Sequence, residues 1–151
     1  MAVSIDDIKK LRAQTGAGIA DCRSALEEAE GNIEKAKEVL KKKGLDKAAS
    51  KSGREVNAGV VHSYVHAGKI GSLVEVLCET DFVAKTEDFK NLAQEVAMQV
   101  ASMNPETTEE LLEQDYIRDN TKKIKDLVTD AVSKLGENIQ IGKISRIELG
   151  K

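Results

Sequence analysis

The spacing of apolar residues changes character once along the chain, at Asn57, and that change limits the fold more than any single motif does. Before it the period is helical. Ile5, Ile8 and Leu11 recur at three-residue steps, Cys22, Ala25, Leu26 and Ala29 stand at i, i+3, i+4 and i+7, and Ile33, Ala36, Val39 and Leu40 share one face. Ser4 is a good N-cap with Asp6 and Asp7 in the first turn, Thr15-Gly16-Ala17-Gly18 interrupts, Gly31-Asn32 ends the second helix and caps the third, and Gly44 is read as the third helix's stop. Leu45 to Ser52, rich in Lys, Ala and Ser, reads as a helical linker closed by Gly53.

Beyond Asn57 strand formers take over. Val60, Val61 and Val65, then Ile70, Leu73, Val74, Val76 and Leu77, form two runs around the turn glycines of Ala67-Gly68-Lys69-Ile70-Gly71, the signature of an antiparallel hairpin. Phe89, Leu92, Ala93, Val96 and Val100 return to helical spacing until Asn104-Pro105, and Thr107 to Asp119 is acidic and reads as one or two short helices. Ile124, Leu127, Val128, Ala131, Val132 and Leu135 mark a long amphipathic helix ended by Gly136, and the β-branched tail from Asn138 to Leu149 reads as a closing strand. The expectation is α+β: a three-helix module with its linker over 1–53, and over 54–151 a core of about three antiparallel strands with helices on one face. A sheet covered on one side leaves apolar residues or strand edges open, which favours pairing with a second copy.

Composition narrows the class. Forty percent hydrophobic and 32% charged residues suit a globular chain, and no apolar run approaches the ~18 residues of a membrane span. The first ten residues lack a basic-then-apolar leader, so the expected location is cytoplasmic, with Cys22 and Cys78 reduced and unpaired. Net charge is −3, residues 1–53 carrying 11 basic and 9 acidic groups and 54–151 carrying 12 and 17. Direct nucleic-acid binding is not expected, because only two Phe and two Tyr are available for stacking. The basic excess is local: six cations between Lys41 and Arg54 face only Asp46, either a solvated helix end or a region that steers an acidic partner.

Little in the chain suggests catalysis. His62 and His66 share a strand face but lie ~13 Å apart at ~3.3 Å per residue, too far for one metal ion. Cys78 on the neighbouring strand offers a Cys–His pairing without support in the flanking residues. The Thr15–Gly18 loop lacks a GK[ST] ending and follows a helix, so it reads as an interhelical turn and not a phosphate loop. No cofactor is expected. Thr80-Asp81-Phe82-Val83 stands apart: Thr80 caps whatever follows the strand, Asp81 lies at a helix start, and one of the four aromatics stands beside a carboxylate at a strand-to-helix corner.

Three segments in order resemble the bacterial elongation factor Ts family. They are Leu11-Arg12 with Thr15–Gly18, Asp21-Cys22-Arg23 and Ala25-Leu26; Val74-Glu75-Val76 with Glu79-Thr80-Asp81-Phe82-Val83-Ala84; and Val132-Ser133-Lys134-Leu135-Gly136-Glu137-Asn138-Ile139. The resemblance implies a non-enzymatic guanine-nucleotide exchange factor for the translation GTPase elongation factor Tu. It implies that the helical module is similar to ubiquitin-associated domains and docks on the GTPase. Arg12, Gly16, Ala17, Gly18, Ile19, Lys51, Leu135 and Gly136 would then be partner-binding, and Thr80, Asp81, Phe82 and Val83 the segment that dislocates magnesium. Ile19-Ala20 stands where long family members often carry paired bulky residues, and the chain is similar to short forms, which complete their core as homodimers. Two other readings predict different behaviour: a tethering module would bind without altering nucleotide release, and a Cys–His hydrolase would depend on Cys78.

Overall fold

A computed structural model describes residues 2–151, which divide into two units, one ending at Ser50 and the other spanning Lys51–Lys151. In the first, α1 (Ile5–Thr15), α2 (Ile19–Glu28) and α3 (Ile33–Lys51) bury Leu11, Cys22, Ala25, Leu26, Ala29 and Ala36 against one another. The caps are local and polar. Ser4 Oγ accepts the Asp7 amide at 3.0 Å, Asn32 Oδ1 accepts the Lys35 amide at 3.0 Å, and Gly16 ends α1 at φ 72°, a left-handed position that suits glycine. Helix α3 does not stop at Gly44. That glycine is buried inside a 19-residue helix, because Leu45, Lys47, Ala48 and Ala49 beyond it are helix formers whose summed preference outweighs the ~1 kcal/mol cost of one glycine. The expected linker is therefore the last turns of α3.

The second unit is built on a three-stranded antiparallel sheet in the order β1 (Ala58–His66), β2 (Ile70–Cys78), β5 (Gln140–Glu148). The α+β expectation holds, with the amphipathic helix α5 (Glu87–Met103) packed along one face. Phe89, Ala93, Val96, Ala97 and Val100 of α5 and Val74, Val76 and Cys78 of β2 are fully or almost fully buried. Ser72, at 4% exposure, is satisfied by donating to the Ala97 carbonyl at 2.7 Å. The opposite face carries Val61, Val65, Leu73 and Ile147, all at least half exposed, around the small residues Ser63, Gly71 and Ser145.

Between Asn104 and Lys123 one short helix forms where one or two are expected, and the rest is strand or loop. Only Thr108–Glu113 is helical (α6); Asp115–Tyr116 (β3) and Asp119–Lys123 (β4) pair as a small antiparallel ribbon. The polar sequence Asp-Asn-Thr-Lys-Lys shows no strand alternation, so tertiary contacts supply the order. The buried Gln99 amide donates to the Asp115 carbonyl and the Gln114 side chain and accepts the Ile117 amide, and the Tyr116 hydroxyl donates to Glu95 at 2.6 Å. Helix α7 (Ile124–Leu135) follows, ends at Gly136 with φ 76°, and leads through buried Asn138 and Ile139 into β5. No helix among the described residues is long and apolar enough to cross a membrane.

Candidate functional site

Strand β2 carries the chain to a corner at Glu79–Thr80, and the group that fixes this corner comes from the far end of the sequence. Glu137 Oε1 accepts the backbone amides of Glu79 at 3.1 Å and Thr80 at 3.0 Å, while Oε2 accepts the Thr80 hydroxyl at 2.7 Å. Three donors on one carboxylate make charge-assisted bonds stronger than neutral ones. Glu79 reciprocates: its Oε2 accepts the Asn138 amide at 3.1 Å and lies 3.7 Å from an Arg54 guanidinium nitrogen. The Asn138 side chain donates to the carbonyls of Arg54 at 2.7 Å and Ser52 at 3.4 Å. Three distant stretches of the second unit thus meet in one polar cluster.

Thr80 then turns the chain into α4 (Asp81–Ala84), a single helical turn, by accepting the Val83 amide at 3.4 Å. Thr86 holds the other end, donating to the Val83 carbonyl at 2.7 Å and capping α5 through the Phe89 amide. Val83 and Ala84 face inward and are buried, which forces Asp81 and Phe82 outward. Phe82 is 87% exposed, the most exposed large hydrophobic side chain among the described residues. Asp81 is exposed beside it, with its carboxylate at the positive end of the turn.

The other residues singled out in the sequence fall in two places. Leu135 and Gly136 end α7, immediately before Glu137, so they adjoin the corner through its clamp; Leu135 is half-buried and Gly136 exposed. Arg12 in the last turn of α1, Gly16 and Gly18 on the α1–α2 loop and Ile19 at the start of α2 are all exposed in the first unit, and Ile19 presents an apolar side chain at 58% exposure. Ala17 is half-buried, its carbonyl accepting from the Cys22 thiol, and the loop is braced by Thr15, whose hydroxyl donates to the Leu11 carbonyl and accepts the Ala17 amide. Lys51 is half-buried at the last residue of α3.

The register separates the residues of a Cys–His pair. His62 stands opposite Val74 and Cys78 opposite Ala58, and His62 Nε2 is engaged by the Gln94 side chain. Cys78 is buried and donates to the Thr80 carbonyl at 3.2 Å; burial, then the Glu137 charge, push its thiol up, the opposite of what a nucleophile needs. Cys22 is a core residue whose thiol is likewise raised by burial. Among the described residues no three His, Cys, Asp or Glu side chains converge in a way that could hold a metal ion.

What the sequence reading missed is the clamp itself: Glu137, Asn138, Glu79 and Arg54. Residues 57 positions apart leave no periodic signal, and the one local hint is a polar Glu-Asn pair placed directly after a glycine-terminated helix.

The same stretch is where the family assignment begins. Residues 79–151, from the corner through the clamp to the closing strand, match the family model for elongation factor Ts. The whole chain is 42% identical to elongation factor Ts of Petrotoga mobilis over 197 aligned positions, covering all of both proteins. The chain belongs to the elongation factor Ts family. Relatives of the same name in Thermotoga neapolitana and Anaeromyxobacter dehalogenans are also 42% identical over 195 positions, covering 100% and 99% of this chain and 99% and 89% of theirs. These alignments are longer than the 151 residues of this chain, so the relatives carry stretches that have no counterpart in it.

Proposed function

We propose that this elongation factor Ts family member is a non-enzymatic guanine-nucleotide exchange factor that binds elongation factor Tu carrying GDP and promotes GDP release, in the cytoplasm, during translation elongation. The observation that supports this reading best is the corner: an almost fully exposed Phe82 and a neighbouring Asp81, held outward by buried Val83 and Ala84 on a backbone fixed at both ends. An apolar side chain at 87% exposure keeps nearly all of its surface available to be buried when a partner docks.

The mechanism follows from charge. A magnesium ion on the GTPase neutralises the phosphates of GDP, so a wedge that shifts the ion's ligands removes the strongest charge compensation at that site. Phe82 supplies the wedge, and Asp81 competes for the groups that hold the metal's surroundings in place. Thousandfold faster release requires raising bound GDP relative to the barrier by only ~4 kcal/mol. Linkage then makes GDP weaken binding of the factor to the same extent. Arg12, the Gly16–Ile19 loop with Ala17 and Gly18, Lys51, Leu135 and Gly136 form the docking contacts, and Thr80 to Val83 the intruding segment. The open sheet face around Leu73 pairs two copies into a homodimer.

The test is release of a fluorescent GDP analogue from purified elongation factor Tu, with magnesium, in the presence of the native chain or its Asp81→Ala, Phe82→Ala double variant. Acceleration by the native chain that the variant lacks is the expected result. Binding without acceleration would leave a tethering module and overturn the reading.

A further inference from the structure

The carboxylate of Glu137 joins two surfaces that the proposed function assigns separately. It begins the residue after Gly136, a docking contact, and it ends on the two amides and the hydroxyl that set the direction of the Thr80–Val83 corner. Upstream of α4, Glu137 is the group that holds the backbone amides of the corner. The amides of Glu79 and Thr80 lie past the last paired residue of β2, beyond the β-ladder, and Glu137 is their acceptor. Without it these two amides lose their acceptor, and the corner keeps only the Cys78 thiol and the Ala84 amide on the Thr80 carbonyl, the Thr80 cap of α4 and the contacts of the Glu79 carboxylate, so the direction of Phe82 is less narrowly set.

We infer that Glu137 is a positioning residue for nucleotide exchange: it holds the Thr80–Val83 corner in the orientation that lets Phe82 and Asp81 enter the partner, without itself touching the nucleotide site. This rests on the exchange-factor reading above. On this reading the reach of its side chain sets the corner's direction, because the bonds run at 2.7–3.1 Å to two backbone amides and a hydroxyl whose positions the backbone fixes, while charge adds to their strength. A wedge that has to be oriented on arrival loses rate in the inserted step, and misplacement by ~1 Å costs on the order of tenfold to a hundredfold in such steps.

Three substitutions separate length from charge. Glu137→Gln keeps the reach and an oxygen for both amides, and can donate to Thr80 Oγ1 in place of accepting from it. Glu137→Asp keeps the charge but is shorter by one carbon–carbon bond, ~1.5 Å. Glu137→Ala keeps neither. The measurement is release of the fluorescent GDP analogue over a range of factor concentrations, giving a saturating rate and a half-saturating concentration, with native chain and Phe82→Ala alongside. Amide hydrogen exchange at Glu79 and Thr80 is followed in each free protein.

The expected result is a saturating rate within about threefold of native for Glu137→Gln, roughly one hydrogen bond's worth, and at least ~10-fold lower for Glu137→Asp and Glu137→Ala. Exchange at the two amides should rise in the latter two while the half-saturating concentration changes little. If Glu137→Ala does not fold, as circular dichroism would reveal, the Asp and Gln pair decides. An Asp variant with the native rate, or a Gln variant that fails while Asp works, overturns positioning in favour of no role or of charge. If the native chain accelerates release and Phe82→Ala does not, yet every Glu137 variant behaves as native, this inference alone fails. If the native chain itself does not accelerate release, the functional reading fails and takes the inference with it.

Discussion

Replacing Phe82 with Ala is the sharpest separation of folding from function that this chain allows. A Phe side chain presents ~200 Å² of surface, and at 87% exposure only ~25 Å² of it is covered in the free protein. At ~25 cal/mol per Å² that covering contributes about 0.7 kcal/mol, and Ala regains about half a kcal/mol by its better helix preference in α4. The net stability change is close to zero, and the melting temperature should stay within about 4 °C of native. Docking reverses the balance. Covering the remaining ~175 Å² is worth up to ~4 kcal/mol, a thousandfold in any equilibrium or barrier that needs Phe82 inserted. Calorimetry of the free protein and stopped-flow release of the GDP analogue read the two quantities independently. Native melting with release slowed ten- to a thousandfold is expected. A melting temperature lowered by more than ~10 °C would make Phe82 a packing residue, and native melting with native release would refute the wedge.

Four further outcomes follow from the same structure. Gln99→Leu removes the buried amide that serves Ile117, Asp115 and Gln114, so urea unfolding should show a loss of about 2–4 kcal/mol; a loss below ~0.5 kcal/mol would mean water replaces it freely. Tyr116 is pushed up from 10.0 to about 12, first by burial, then by its hydrogen bond to Glu95 and that carboxylate's charge. Because the folded value lies above the unfolded one, the stability it adds is complete below pH 10 and withdrawn as pH rises through 12; Tyr116→Phe should flatten that fall, and an identical alkaline slope in both proteins would contradict it. Both thiols are buried and raised by burial, so a disulfide-exchange reagent should show no fast phase in native buffer, and prompt reaction of Cys78 would revive a nucleophilic role. Light scattering should give twice the 16.4 kDa chain mass for the native protein and one chain mass for Leu73→Glu, which places a charge at the centre of the open sheet face; a native particle of 16.4 kDa would remove the dimer.

The sequence announces an element when the causes of that element are local. Ser4, Asn32, Thr80 and Thr86 all cap the amide three residues on, and each was within reach of spacing arguments or of its own residue type. Gly44 looks like a stop in the sequence for the same local reason, since a lone glycine stands out and the run of helix formers beyond it does not. Ribbon β3–β4 was hidden for the opposite reason: its residues prefer nothing strongly, and Gln99, 16 positions from Asp115, imposes the pairing. The candidate site divides along the same line. Its exposed half, Asp81 and Phe82 after a Thr cap, was legible as a strand-to-helix corner, whereas the clamp from Glu137 became visible only once β2 and the end of α7 were brought together.

Those two halves need each other for a physical reason. An exposed aromatic on a flexible loop could collapse onto the protein's own apolar surface, and on binding it would have to give up ~1–2 kcal/mol of backbone freedom for each residue that becomes ordered. Phe82 is spared both by its setting. The one-turn helix beneath it is too short to be stable alone, so it borrows order from Thr80 and Glu137 on one side, Thr86 on the other, and the buried pair Val83–Ala84 below. The ordering cost is thereby met during folding. In the proposed exchange reaction, the ~4 kcal/mol available from covering Phe82 would then go into disturbing the partner's nucleotide site, and not into arranging the wedge.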